Sequence, residues 1–274
     1  MALYVVGTPI GNLEDITLRA LRVLREVALI AAEDTRKTRR LLHAYSIKTA
    51  LTSFHEFTGE EKVQKLASIL QEKDVALVSE AGTPGISDPG YALIAAAVER
   101  GVPVVPVPGP SAVTAALSVA GLPADQFLFL GFLPRRVLER GKLLRAVAGE
   151  RRTLVAFEAP HRLQESLADL LAVLGNRPVA VCRELTKVHE EIWRGRIGEA
   201  LQHFTSPLGE FTLVIAGNQE PVTLPQNTEI RDRLTKYVYE GLSGKEAMRR
   251  LAKETGLPRR EIYRLWLEVA DEQS

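Results

Sequence analysis

Three short stretches of this 274-residue chain, GTPIGN (7–12), SEAGTPGISDPG (79–90) and VPGPSA (107–112), are dense in glycine and proline, and each follows an apolar run. Glycine allows positive φ and close backbone approach while proline fixes its own φ, so these loops form preset backbone surfaces. One such loop alone reads as a turn. Three of them at the carboxyl ends of strands, where open α/β sheets bind ligands, read as parts of a binding site. None of the three holds a lysine or arginine. The chain also lacks the G-x-x-x-x-G-K-[ST] and G-x-G-x-x-G arrangements that cradle phosphates. A phosphate needs cations or a bare helix N-terminus, whereas the middle loop offers Glu80 and Asp88. That chemistry suits a ligand with adenine, ribose and an amino-acid tail, no phosphate, and a positive charge of its own. S-adenosylmethionine, a sulfonium, meets those terms.

The elements that must hold these loops follow from the apolar patterning. LYVV (3–6), VALIAA (27–32), VALVS (75–79) and VPVVPV (102–107) read as buried strands bounded by turn residues. Between them lie stretches of helical period such as Thr17 to Glu26, where Leu18, Leu21 and Leu24 repeat and Ala20 and Val23 fill the same face. The alternation predicts an α/β fold, a parallel sheet covered by helices. After a boundary near Gly121 to Asp125 the pattern restarts with FLFLGFL (127–133), TLVAFEA (153–159), PVAVCREL (178–185) and FTLVIAG (211–217). The expected organisation is therefore an α/β domain over 1–121, a second over 122–219, a polar proline-containing linker over 220–229 and a helical module over 230–274. Within that module Ser243 reads as an N-cap, Ala247, Leu251 and Ala252 share one face, Gly256 breaks the helix and Pro258 starts the next. Two helices across a tight turn make a helix-turn-helix-like pair.

Composition sets limits on partners. A net charge of +1 exerts no global pull on polyanions, so nucleic-acid binding has to come from local patches. Such patches exist: RKTRR (36–40) has four cations in five residues, and PRRVLERGKLLRAVAGERR (134–152) has seven against two acids. In the C-terminal module Lys245, Arg249, Arg250, Lys253, Arg259, Arg260 and Arg264 outnumber Glu246, Glu254 and Glu261. That excess reads as an RNA-contacting module or, around Tyr263 and Trp266, as a dimer-packing appendage; a duplex-DNA regulator would leave the cofactor loops unexplained. The single cysteine, Cys182, lies in an apolar run and reads as a buried thiol, which rules out an internal disulfide framework or a multi-cysteine zinc site. His189 has no metal-ligand partner at suitable spacing, so no metal is expected. The N-terminus lacks a basic lead and an extended apolar region, and no run of apolar residues is long enough to span a bilayer, so a cytoplasmic location is expected with no membrane partner.

Eight stretches, VVGTPIGNLEDITLRAL, AAEDTRKTRRLL, SFHE, SEAGTPGISDPG, VPGPSA, GFLPR, FEAPHR and RELTKVHEE, resemble in order and spacing the ribosomal RNA small-subunit methyltransferase I family. That family is similar in fold to the tetrapyrrole methylases, the class III methyltransferases, and the resemblance covers nearly the whole chain. It implies two α/β domains with an S-adenosylmethionine cleft between them, a homodimer, and 2′-O-methylation of a cytidine in 16S ribosomal RNA near the decoding centre of the small subunit. Carried over by motif, it implies that Pro9, Ile10, Gly82, Thr83, Ile86, Ser111 and Ala112 meet the cofactor. Phe157 and Leu185 either close over the adenine or are plain core residues. Thr83 stands where tetrapyrrole methylases read aspartate, and Glu80 is the candidate to supply that carboxylate.

Removing a proton from a 2′-hydroxyl calls for a base, and the candidates are His55, Glu184, Lys187 and Asp34. Lys187 qualifies if burial lowers its pKa, and otherwise contacts phosphate or an oxyanion. The alternatives are an ion pair between Glu184 and Lys187, and Asp34 as the N-cap of a helix beginning at Thr35. RNA contacts are expected from Arg36, Arg39, Arg40, Arg135, Arg136, Arg140, Lys142 and Arg162. Two rival functions are a small-molecule methylase of tetrapyrrole type, which needs no basic segments, and a non-enzymatic RNA-binding assembly factor, which needs no cleft.

Overall fold

The computed structural model describes residues 1–55, 57–219, 227–255 and 259–271. Its first half alternates strand and helix: β1 (Leu3–Val6), α1 (Leu18–Glu26), β2 (Leu29–Ala32), α2 (Thr35–Ala44), β3 (Leu51–Ser53), α3 (Glu60–Ile69), β4 (Val75–Val78), α4 (Tyr91–Glu99), β5 (Val104–Val107) and α5 (Ala112–Ala120). The five strands form one sheet in the order β3-β2-β4-β1-β5, every pairing parallel. Helices pack on both faces, which is why the central strand VALV is apolar and buried at every position. One face buries Leu21, Leu24 and Ile30 among others, the opposite face Leu3, Val63, Leu66 and Leu93.

Helix α1 corrects one detail of the expected stripe. Its buried residues are Ala20, Leu21, Val23 and Leu24, while Leu18 is 86% exposed. The Thr17 hydroxyl caps the helix by accepting from the Ala20 N–H at 3.1 Å, and Leu18, directly after the cap, points away from the sheet.

The second half contains β6 (Phe127–Phe132), α6 (Val137–Ala146), β7 (Thr153–Glu158), α7 (Leu163–Leu174), β8 (Pro178–Arg183), β9 (Glu191–Arg196), α8 (Ile197–His203) and β10 (Phe211–Ile215). Its strand order is β6-β7-β10-β8-β9, with β6 and β7 parallel and the other pairs antiparallel. The segment between β8 and β9 is too short for a crossover helix, so β9 returns antiparallel. Helix α5 joins the halves: Val113, Ala116, Leu117 and Ala120 pack against Val155, Ala180, Cys182 and Val214 of the second sheet. Met1–Asn218 is accordingly one compact unit.

Gln219–Ser274 is a separate unit. Of the stretch read as linker, 220–226 lies outside the described residues, as do Gly256 and Pro258 and the side chains of Lys253, Glu254, Arg259 and Glu261. Helix α9 (Asn227–Tyr239) starts within that stretch and precedes α10 (Gly244–Thr255) and α11 (Arg259–Asp271), so the described residues form three helices where two were expected. The apolar period of α9 rests on Ile230, Leu234 and Tyr237 alone, which bury against Ala247, Leu251, Ile262 and Leu265. Ser243 and Glu246 form a capping box at the start of α10, the Ser243 N–H reaching Glu246 Oε2 at 3.2 Å and the Glu246 N–H reaching Ser243 Oγ at 3.4 Å.

Candidate active site

The three glycine- and proline-rich loops meet at the carboxyl edge of the parallel sheet. The Thr8 N–H donates to the Gly82 carbonyl at 2.9 Å and the Gly82 N–H to the Thr8 carbonyl at 3.0 Å, which ties the first loop to the second. The Gly7 N–H reaches the Val107 carbonyl at 3.0 Å, and a Cβ on Gly7 would stand 2.9 Å from Gly109 Cα, so the first and third loops are in backbone contact. The far end of the first loop meets the second sheet. The Asn12 N–H donates to Thr186 Oγ1 at 3.0 Å, and a Cβ on Gly11 would lie 2.7 Å from the Leu185 carbonyl oxygen.

Between these loops and the second sheet lies a cavity of ≈ 430 Å³. Ile10, Glu80, Gly82, Thr83, Ile86, Ser111 and Ala112 line it on one side, Phe157 and Leu185 on the other. Pro9, in the same loop as Ile10, is not among the lining residues. The Phe157 ring is held edge-on by Phe129 and Phe132, with centroids 5.1 and 5.4 Å away. Cys182 also lines the cavity, and burial pushes its thiol up to about 11, so it stays protonated.

Charge in this cavity has one sign. Glu33, Glu80, Asp88, Glu158 and Glu210 line it, and no lysine, arginine or histidine does among the described residues. Glu33 Oε2 accepts from the Glu80 N–H at 3.0 Å, and the Glu80 carboxylate pairs with Lys37. Burial, reinforced by the charge of Glu33 and opposed by a hydrogen bond with Ser79, raises the Asp88 carboxyl to about 6. The buried Glu158 accepts from the Ala159 N–H at 2.7 Å, from Arg162 at 2.6 Å and from the Ser166 hydroxyl. Glu33, Glu158 and Glu210 escaped the sequence reading, and Asp88 stands there as a carboxylate of the middle loop without being assigned to the site. Glu33 directly follows β2 and Glu158 ends β7, so both were discoverable by the strand-end rule, whereas Glu210, ahead of β10, carries no such signal.

Of the four expected bases only Glu184 and Lys187 are brought together, as an ion pair. Asp34 caps α2, accepting from the Arg36 and Lys37 N–H groups at 2.7 and 3.3 Å, and hydrogen bonds from the Arg36 side chain and backbone hold its carboxyl down at about 2. It is a cap, not a base. His55 is exposed, its backbone N–H donating to Thr58 Oγ1 at 2.8 Å, and it does not line the cavity. Lys187 Nζ bridges Glu184 Oε1 at 2.8 Å and Glu210 Oε2 at 3.0 Å. Burial pulls its ammonium down, but the bonds to Glu184 and Glu210 outweigh that and raise it. Lys187 therefore holds its proton, contrary to the base role that desolvation alone would allow. Glu184, desolvated but hydrogen-bonded by Lys187 and by the Glu210 N–H, is held below the ordinary carboxylate value.

Two expected RNA contacts are structural. Arg140 is 1% exposed, with Nε 2.7 Å from Asp169 Oδ2 and a further bond to the Pro134 carbonyl, because its position on α6 faces α7. Arg162 is held between Glu158 and the Leu133 carbonyl at 3.0 Å. By contrast Arg39, Arg40, Arg135, Arg136 and Lys142 are exposed, as is Arg36 beside Asp34. Among the described residues no group of three or more His, Cys, Asp or Glu side chains could hold a metal ion, and no helix is long and apolar enough to cross a membrane.

The two-sheet fold is shared with methyltransferases of known structure, and residues 2–201 match the family described as Tetrapyrrole (Corrin/Porphyrin) Methylases. Among solved structures, uroporphyrin-III C-methyltransferase from Thermus thermophilus, in complex with S-adenosylhomocysteine, superposes with a TM-score of 0.55 at 21% identity, covering 79% of this chain and 97% of that one. The Ribosomal RNA small subunit methyltransferase I of Synechocystis sp. is 48% identical over 97% of this chain and 98% of its own. Its counterpart from Pseudomonas aeruginosa is 51% identical over 80% of each. The chain belongs to the ribosomal RNA small subunit methyltransferase I family within the tetrapyrrole methylase class.

Proposed function

We propose that the protein transfers a methyl group from S-adenosylmethionine to the 2′-hydroxyl of a cytidine in 16S ribosomal RNA near the decoding centre, working in the cytoplasm as a homodimer. The observation that carries the cofactor is the charge of the cleft: five carboxylates and no cation among its described lining residues favour a ligand that is itself positive and carries no phosphate. The cavity of ≈ 430 Å³ lies in the size range of cofactor sites. The rRNA substrate is supported by the relatives, which carry the name Ribosomal RNA small subunit methyltransferase I.

When bound, the cofactor supplies an electrophilic methyl group on a cationic sulfur. The chain's own part is chiefly positioning, which can be worth roughly 7 to 11 kcal/mol, against about 3 to 5 kcal/mol for a general base. The loops around Gly82, Thr83, Ser111 and Ala112 offer backbone groups to the ribose and amino-acid tail, and Glu80 stands in for the aspartate replaced by Thr83. Phe157 and Leu185 supply apolar walls for the adenine. Glu33 and Asp88 add negative potential that favours the sulfonium. Lys187, kept charged by Glu184 and Glu210, stabilises an oxyanion or a phosphate rather than accepting a proton. Exposed Arg36, Arg39, Arg40, Arg135, Arg136 and Lys142 contact the RNA backbone.

The test incubates pure protein and labelled S-adenosylmethionine with bare 16S RNA, assembled small subunits or tetrapyrrole precursors, and identifies the methylated product by mass spectrometry. A 2′-O-methylcytidine is the expected product. Label in a tetrapyrrole, or no ribose methylation on any RNA, overturns the reading.

A further inference from the structure

The C-terminal unit carries a second concavity, chemically the inverse of the cleft. Lys245, Met248 and Arg249 of α10, with Arg260 and Tyr263 of α11, line a cavity of ≈ 380 Å³. The spacing of 245, 248 and 249, and of 260 and 263, puts each set on one helical face. The opposite faces are committed: Ala247, Leu251, Ile262 and Leu265 are buried, and Trp266 packs against that core. Tyr263 is not so committed, with 53% of its surface exposed.

Among the described residues three cations and no carboxylate line this cavity. Glu246, next to Lys245 in sequence, accepts from the Ser243 hydroxyl at 2.7 Å and turns back to cap α10. An exposed aromatic ring ringed by cations is the combination that holds unpaired nucleotides, the ring stacking on a base and the cations neutralising phosphates. It suits single strands better than duplex, whose bases are stacked on one another and leave Tyr263 without a face to meet.

We propose that this cavity is a second RNA site, which takes one unstacked nucleotide of single-stranded RNA with its base on Tyr263 and its flanking phosphates on Lys245, Arg249 and Arg260. The inference rests on the reading of the protein as an RNA methyltransferase and assigns the C-terminal unit a role in holding that substrate.

The test uses the full chain, a fluorescein-labelled single-stranded RNA 12-mer and a duplex of equal length, with anisotropy read over a salt series. Tyr263→Ala should weaken single-strand binding about 5- to 150-fold, the range expected for losing one stacked base. Tyr263→Phe, which keeps the ring, should stay close to wild type. Replacing Lys245 and Arg249 together by Ala should flatten the salt slope by about 1.4, two phosphates at roughly 0.7 each. Calorimetry with S-adenosylmethionine should give the same cofactor affinity in all variants. Equal binding of single-stranded RNA by wild type and Tyr263→Ala, or equal losses on single strand and duplex, overturns the inference and leaves the enzymatic reading intact. A wild-type protein that binds cofactor but neither RNA overturns the inference as well, and the enzymatic reading then stands or falls on the methylation assay alone.

Discussion

Lys187 Nζ lies 2.8 Å from Glu184 Oε1, on a turn where Glu184 and Thr186 both adopt positive φ, 50° and 66°. Neither is glycine, so the turn carries backbone strain that its surroundings must offset. The ion pair, the Glu210 N–H bonded to Glu184 at 2.8 Å and the Asn12 N–H on Thr186 together hold it. Because the pair raises the Lys187 pKa, Lys187→Arg should keep a measurable part of the activity and Lys187→Met should lose most of it. In pH-rate profiles between pH 7 and 9 the wild type should show no titration that disappears with Lys187→Arg. An inactive Arg variant together with the loss of a limb near neutral pH would return Lys187 to the role of base.

Gly11 is predicted to be intolerant of any side chain. Its Cβ would meet the Leu185 carbonyl oxygen at 2.7 Å and Lys187 Cγ at 2.5 Å, and the first of these is backbone that cannot swing aside. Gly11→Ala should lower stability by about 1 to 3 kcal/mol, the usual cost of overpacking, and weaken cofactor binding by displacing the first loop. Urea unfolding and calorimetry measure the two effects separately. An unchanged midpoint would mean that the two loops are free to part.

The Asp88 carboxyl titrates at about 6 in the fold against 3.8 as its ordinary value. The folded state therefore favours the protonated form. Its contribution to stability is fully present below pH 4 and is lost as pH rises through 6. Asp88→Asn should match wild type at pH 4 and exceed it at pH 8 by about 1 kcal/mol, after discounting for solvent screening. The same variant should lose affinity for S-adenosylmethionine while keeping that for the uncharged thioether S-adenosylhomocysteine. Equal losses for both would show that Asp88 holds the ligand by contact rather than by charge.

Arg140 and Arg136 share a basic segment and should fail differently. Arg140→Ala leaves Asp169 without its buried partner and should cost about 3 kcal/mol of stability, with RNA affinity unchanged in the folded fraction. Arg136 is exposed and paired with Glu139 at 3.2 Å, so Arg136→Ala should leave the melting temperature in place and reduce RNA affinity. Thermal melts alongside RNA titrations separate the two.

Strands with buried, apolar sequences were legible in the chain because their patterning is forced by burial on both faces. β3 and β9 were not. Both are edge strands, and LTS and EIWRGR carry polar or charged residues along them, as edges do. The cleft-forming loops were legible because glycine and proline mark the backbone directly. The carboxylates were only partly so: Glu80 and Asp88 stood inside a marked loop and Glu158 ends a strand, whereas Glu210 reaches the cavity through the β10–β7 pairing that no local pattern encodes. Charge was the weakest guide, since Arg140 and Arg162 look in sequence like their exposed neighbours and differ only in which helical face or strand end they occupy.

Helix α5 belongs to the first half by connection and to the second by packing, with Val113, Ala116, Leu117 and Ala120 set against Val155, Ala180, Cys182 and Val214. A cut after Gly121 would leave one fragment with a naked apolar helix and the other with an uncovered sheet. The two halves are thus not interchangeable modules. They stand or fall together, and the candidate cleft opens on a single indivisible body.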